Sequence, residues 1–283
     1  METRPFRIVH PGDPGRVIRG AIDVPDGEPP SRRGWPHACI LHGFKGFMDW
    51  GFFPDIARRL AQAGVAAVRF NASGSGVGED LLRFGDLGSF ERNTVSKELE
   101  DVALVRAFVR GGGAPGLDPE RNAWIGHSRG GGIVLLHVAE SNDALGVVTW
   151  AGVATLDRFD AEAKVRWRRD GHFAILNART GQEMRLGLGA LEDLEENRER
   201  FDLPSAAGRV DRPVLFIHGV DDETVPIEES ELLAAALGPA KGSLLRIEGA
   251  GHTFGIRHPM EGTTEAWETV AEATSRRVRD LLI

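Results

Sequence analysis

Ala123-Trp124-Ile125-Gly126-His127-Ser128-Arg129-Gly130 reads as an apolar strand running into a serine bounded by glycines, and the apolar run from Arg129 to Glu140 behind it reads as a helix. A serine on so sharp a strand-to-helix turn has its Oγ clear of the backbone. Glycines two residues to either side leave the room that the turn needs. The helix N-terminus beneath the serine favours negative charge. The plainer alternative is a glycine-rich turn whose serine merely caps the helix, so the rest of the chain must supply or withhold the serine's partners.

Working outward, short β-rich runs alternate with longer amphipathic stretches, the pattern of a mostly parallel sheet covered by helices. Strands are expected at Ala38–Leu41, Val65–Phe70, Ala123–Ile125, Gly146–Trp150, Val214–Ile217 and Leu244–Ile247. Phe6–Val9 and Val17–Val24 flank the turn-forming Pro11-Gly12-Asp13-Pro14-Gly15, so an antiparallel hairpin is expected at one sheet edge. Helices are expected at Pro54–Ala63, Val95–Arg110, Arg129–Glu140, Ile227–Leu237 and Thr264–Leu282. The fold class is therefore α/β, with about eight strands and helices on both faces.

One segment breaks the alternation. Between Ala151 and Pro213 the chain changes character: His172–Leu188 alternates around Asn177-Ala178-Arg179-Thr180-Gly181 as a hairpin does, and Leu191–Phe201 reads as a highly charged helix. Long insertions in compact domains usually serve as lids or binding elements. The expected organisation is a core of residues 1–155 and 209–283 interrupted by a cap of residues 156–208. Phe159, Trp167 and Phe173 in that segment are candidates for a substrate pocket or, alternatively, for the cap's own small core.

Composition bounds the partners. The 283 residues include 34 Lys and Arg against 42 Asp and Glu, a net charge of −8, and basic clusters such as Arg166–Arg169 are short. Nucleic acid is not an expected partner. A single Cys excludes an internal disulfide and a multi-cysteine zinc site; Cys39 sits in an apolar strand and reads as a packed core thiol. Met1–Arg19 lacks the apolar core of a signal peptide, and no apolar run approaches the length of a membrane span. A cytoplasmic protein with no membrane partner is expected; nothing in the sequence sets an oligomeric state.

A serine hydroxyl is a weak nucleophile and needs a base, held by an acid. The strand at Val214–Ile217 runs into His218-Gly219-Val220-Asp221-Asp222-Glu223-Thr224-Val225-Pro226, which offers carboxylates at a strand end, and Gly249-Ala250-Gly251-His252 follows the last strand. Among nine histidines His252 is singled out by this position, with His258 in reserve; His42, His127 and His218 read as loop-shaping. From the residues alone Asp221 and Asp222 remain alternatives, since either could cap the turn. Oxyanion donors are expected from the backbone N–H of Arg129, directly after the serine, and from the loop His42-Gly43-Phe44-Lys45-Gly46, with Phe44 N–H the natural choice. Asn71–Gly78 lacks the glycine spacing of a dinucleotide loop and no Lys-Ser or Lys-Thr pair follows it. No cofactor and no metal enter the scheme.

His42-Gly43-Phe44, the serine turn, His218-Gly219 with Asp222 and Val225-Pro226, and Gly251-His252 stand together in an order that resembles the α/β-hydrolases over nearly the whole chain. The resemblance implies Ser128 as nucleophile and His252 as base, and it selects Asp222 as the acid, four residues after the strand-end histidine. Within the superfamily the chain looks most like the dienelactone hydrolase-like and feruloyl or cinnamoyl esterase-like branch, whose cap follows the sixth strand. A phenol-binding tyrosine has no counterpart, because the chain contains no Tyr. The implied activity is a serine carboxylesterase acting on a small-molecule ester, with a serine peptidase (aminopeptidase-like) or a thioesterase as alternatives. A non-catalytic binding protein would normally have lost a triad member, and none is missing.

Overall fold

The computed structural model describes residues 1–177 and 180–283; Ala178 and Arg179, in the expected hairpin turn, lie outside the described residues. In chain order the first elements are β1 (Glu2–His10), β2 (Asp13–Val24), β3 (Trp35–Leu41), α1 (Phe53–Gln62), β4 (Ala66–Asn71), α2 (Leu87–Glu91) and α3 (Val95–Arg110). There follow β5 (Leu117–His127), α4 (Arg129–Ser141), β6 (Val147–Trp150), α5 (Ala161–Asp170), β7 (His172–Asn177), β8 (Gln182–Gly187) and α6 (Leu188–Glu196). The chain ends with α7 (Leu203–Arg209), β9 (Val214–Gly219), α8 (Ile227–Leu237), β10 (Gly242–Ile247) and α9 (Glu265–Leu282).

Eight of the strands form one sheet in the order β1-β2-β4-β3-β5-β6-β9-β10. From β4 to β10 the neighbours are parallel, while β2 runs antiparallel to both β1 and β4, so the N-terminal hairpin closes one edge as expected. The two-residue side-chain period of a strand divides the core. Cys39, Leu41, Val68, Phe70, Trp124, Val147 and Phe216 pack with apolar residues of α3, α4, α7 and α8. Ala38, Ile40, Ala67, Ile125, Val148 and Ile217 pack with those of α1 and α9. Buried on both faces, the central strands read as continuous apolar runs. Because β3, β5, β9 and β10 are parallel, the loops that follow them emerge at one edge, where open α/β sheets gather their ligands.

The stretch between β6 and β9 holds a small two-stranded sheet, β7 antiparallel to β8, flanked by α5, α6 and α7. A lone hairpin buries too little to stand by itself. Here Trp167, Met184, Leu186, Ala190 and Leu191 share a third apolar cluster with Phe47, Val77 and Phe84 from loops of the main sheet and Phe90 of α2. The structure departs from the sequence reading in the bounds of one helix and adds the helices α2, α5 and α7. Instead of Leu191–Phe201, α6 spans Leu188–Glu196, because Leu191 and Leu194 form its buried stripe and Asp202 starts α7 by accepting the Ser205 N–H at 2.9 Å. Helix α5 went unread because only Ala163 and Trp167 of its residues are buried. No helix among the described residues is long and apolar enough to cross a membrane.

Candidate active site

Ser128 joins β5 to α4 with φ 54° and ψ −123°, a conformation L-residues rarely adopt. A Cβ at Gly126 would stand 2.4 Å from the Gly130 carbonyl oxygen, and one at Gly130 would stand 2.4 Å from that of His42. Both positions therefore exclude any side chain. The turn is tied to β6 by a 2.8 Å bond from Ser128 N–H to Trp150 O. Ser128 holds the N-cap position of α4, yet its side chain makes no capping hydrogen bond, which weighs against a serine kept only as a cap.

Asp222 and His252 come together across the ends of β9 and β10, His252 Nδ1–H donating to Asp222 Oδ2 at 2.7 Å. The other carboxylate oxygen accepts the N–H groups of Thr224 at 2.9 Å and Val225 at 3.0 Å. Burial raises the Asp222 pKa, but hydrogen bonds from His218 and His252, the His252 charge and the Val225 amide outweigh it and hold the group well below the usual carboxylate range. Asp221, the alternative, is exposed, and its own N–H is engaged by Ala250 O. His218 is fully buried, donating from Nε2 to Val225 O at 2.8 Å and accepting from Ser230 Oγ at 2.7 Å. His127 lies beneath His252, with Nε2–H donating to its carbonyl at 3.1 Å; burial, then the His252 charge, push its pKa down to about 3. His42 likewise shapes a loop, donating from Nδ1 to Gly43 O and accepting at Nε2 from Ala72 N–H. The reserve histidine, His258, accepts from Gly51 N–H at 3.1 Å and packs edge-on against Phe47.

The loop after β3 runs directly beside the serine: a Cβ at Gly43 would lie 2.9 Å from Ser128 Cβ. Phe44 follows Gly43 in that loop and Arg129 follows Ser128 in the chain, and neither backbone N–H appears among the loop, turn and cap backbone hydrogen bonds of the described residues. The Phe44 ring lies 5.5 Å from that of Phe90, and the Arg129 guanidinium sits 5.9 Å over it. Arg129 Nε is held by both oxygens of Glu98, at 2.9 and 3.1 Å. Cys39 is packed in β3, where burial pushes its thiol up to about 12.

Ser128 and His252 line two cavities. The larger, about 530 Å³, is walled chiefly by Val95, Val153, Leu156, Ile175, Leu186 and Leu194, together with all three expected aromatics, Phe159, Trp167 and Phe173. The three rings pack against one another with centroids 5.0–5.4 Å apart. Trp167 is completely buried and backs the wall, whereas Phe159 and Phe173 keep part of their surface open. The smaller cavity, about 230 Å³, includes Trp50, Phe53, His127, Asn177 and Thr253. The sequence reading missed Val95 and Glu98, which enter from the first turns of α3; their only signal was the helix periodicity, which says nothing of what lies opposite.

A model of the prolyl oligopeptidase family matches residues 50–270, well over half of the chain. YuxL of Bacillus subtilis (strain 168), an uncharacterized peptidase, is 26% identical over 265 residues, which cover 91% of this chain and 37% of that protein. The chain thus spans little more than a third of that relative. Among solved structures, the esterase domain of a Rhodothermus marinus protein is similar at a TM-score of 0.65, with 21% identity over 99% of both chains. Est1E from Butyrivibrio proteoclasticus, solved with ferulic acid bound, is similar at 0.67, with 22% identity over 93% of both chains. These two structures share the fold of the esterase-like branch expected from the sequence, while the family match is to peptidase relatives. With the sheet order and the matched span taken together, the chain belongs to the prolyl oligopeptidase family and has the α/β-hydrolase fold.

Proposed function

We propose that the protein is a serine hydrolase that cleaves carboxylic esters of small molecules with an uncharged, apolar acyl part. In this reading Ser128 Oγ attacks the ester carbonyl while His252 takes its proton, and Asp222 holds the imidazole in the required tautomer. The amides of Phe44 and Arg129 stabilise the tetrahedral oxyanion. Collapse expels the alcohol, which leaves with the proton returned by His252. Water activated by the same histidine then releases the acid from the acyl-enzyme. Residues 156–208 act as the cap that shapes the acyl pocket.

The observation that carries this reading is the makeup of the large cavity beside Ser128. Its volume suits a small organic ligand. Among the described residues its lining contains no Asp or Glu, and the cations there are engaged: Arg129 by Glu98, Arg158 by Glu229 at 2.7 Å, and Lys45 near Leu176 O. A peptide's ammonium terminus would find no carboxylate there to offset its desolvation. Peptide hydrolysis is the second reading, favoured by the family and by YuxL.

The deciding experiment is a matched panel of p-nitrophenyl esters, thioesters and aminoacyl p-nitroanilides, with fluorophosphonate labelling located by mass spectrometry. Faster turnover of butyryl and longer esters, with the label on Ser128, supports the proposal. Preference for the aminoacyl amides, or a label elsewhere, overturns it.

A further inference from the structure

We infer that Glu98 is a positioning residue that braces both walls of the oxyanion site through Arg129, a role that rests on the ester-hydrolase reading above. Glu98 is buried on α3, where one oxygen also accepts from Asn93 Nδ2 at 2.6 Å and both engage Arg129 Nε. Arg129 is bound covalently to one candidate oxyanion donor, its own N–H. Its guanidinium lies over the ring of Phe44, whose N–H is the other. A single ion pair therefore reaches both donors.

The brace acts where a small space borders the loop. A space of about 20 Å³, room for about one water molecule, separates the backbone at His42, Gly43 and Phe44 from Asn93, Glu98 and Arg129. His42 ties the start of the loop to Gly43 O and Ala72 N–H, and at Phe44 the ring stack and the ion pair add to that support. Oxyanion stabilisation depends on donors that are already in position when charge develops, so loosening the brace weakens binding of the transition state more than binding of the ester.

The test compares Glu98→Gln, Arg129→Met and the double variant with the wild type, using a p-nitrophenyl ester and an alkyl boronic acid that forms a tetrahedral adduct on the serine. Both single variants are expected to lower kcat about tenfold or more with KM little changed, and boronate affinity should fall in step. The double variant, which leaves no uncompensated buried charge, should lose no more than the worse single one. Glu98→Asp should recover part of the loss if it restores the pair. A lower melting temperature with kcat per folded enzyme and boronate affinity unchanged would assign Glu98 a merely structural role and overturn the inference. So would additive losses in the double variant. An inert wild type overturns the ester reading and this inference with it, whereas an active wild type with unaffected variants overturns this inference alone.

Discussion

His218 Nε2 lies 3.3 Å from Asp222 Oδ2, the same carboxylate oxygen that receives His252 Nδ1–H. With the Thr224 and Val225 amides on the other oxygen, this fixes the Asp222 carboxylate before any substrate arrives. Asp222→Asn replaces one oxygen by an N–H donor, which would face His252 in the wrong tautomer. A loss in kcat of about 10⁴ is expected, and Ser128→Ala and His252→Ala should be at least as severe, with the fold retained. Exposed Asp221 has no such contacts, so Asp221→Asn should stay close to wild-type turnover. Steady-state kinetics on the four variants check this, and a reversal between the two aspartates would reassign the acid.

Stability should fall as the solution is acidified, in two windows. Burial, and then the Arg106 charge, lower His37 to about 3, while burial and the His252 charge bring His127 to the same value. The unfolded chain protonates these rings near 6.5 and the folded chain does not, so the unfolded state binds more protons between pH 6.5 and about 3 and stability declines across that range. Asp222 adds the second window. Its pKa is lowered on folding, so its contribution is present above the unfolded carboxylate value of about 3.9 and is lost as pH falls below it toward the folded value. Thermal melts from pH 8 to 3 should follow this course, and His37→Leu, remote from Ser128 in the sheet, should flatten the upper part of the decline.

The strand pattern, the serine turn and the meeting of Asp222 with His252 were readable from local signals: apolar runs, glycines two residues either side of the serine, and loops that follow parallel strands. The choice of Asp222 over Asp221 came from resemblance, since adjacent carboxylates in one turn are indistinguishable until the fold buries one and exposes the other. Helix α5 went unread and the end of α6 was misread because charged residues dominate there and tertiary contacts from Trp167 and Leu194 decide the outcome. Glu98 was invisible for a different reason. It reaches the site from an element that precedes the serine turn, and nothing in its own neighbourhood marks it.

The proposed oxyanion donors are backbone groups, so a side-chain deletion and a loss of N–H should separate at Phe44. Phe44→Ala keeps the donor and loses the ring that meets Arg129 and Phe90; a modest fall in kcat is expected. Phe44→Pro removes the N–H and should cost about a hundredfold. Circular dichroism must verify the fold of the proline variant. A folded Phe44→Pro enzyme with wild-type kcat would exclude this donor.

Substitutions among the three aromatics should likewise diverge, because their burial differs although their rings touch. Phe173 and Phe159 keep exposed surface on the large cavity, so Phe173→Ala enlarges the proposed acyl pocket at limited cost in stability. The ranking of esters should shift toward longer or bulkier acyl groups, with labelling by a small organophosphate largely unchanged. Trp167 is fully buried against Phe159 and Phe173 in the cluster that also holds Met184, Leu186 and Leu191. Trp167→Ala therefore removes the packing that joins α5 to the β7–β8 hairpin and should destabilise by about 3–5 kcal/mol. Differential scanning calorimetry beside an acyl-length series separates the two effects. If Phe173→Ala leaves the acyl preference untouched while remaining folded, the segment between β6 and β9 does not set specificity, and the apolar cavity is not where the acyl group sits.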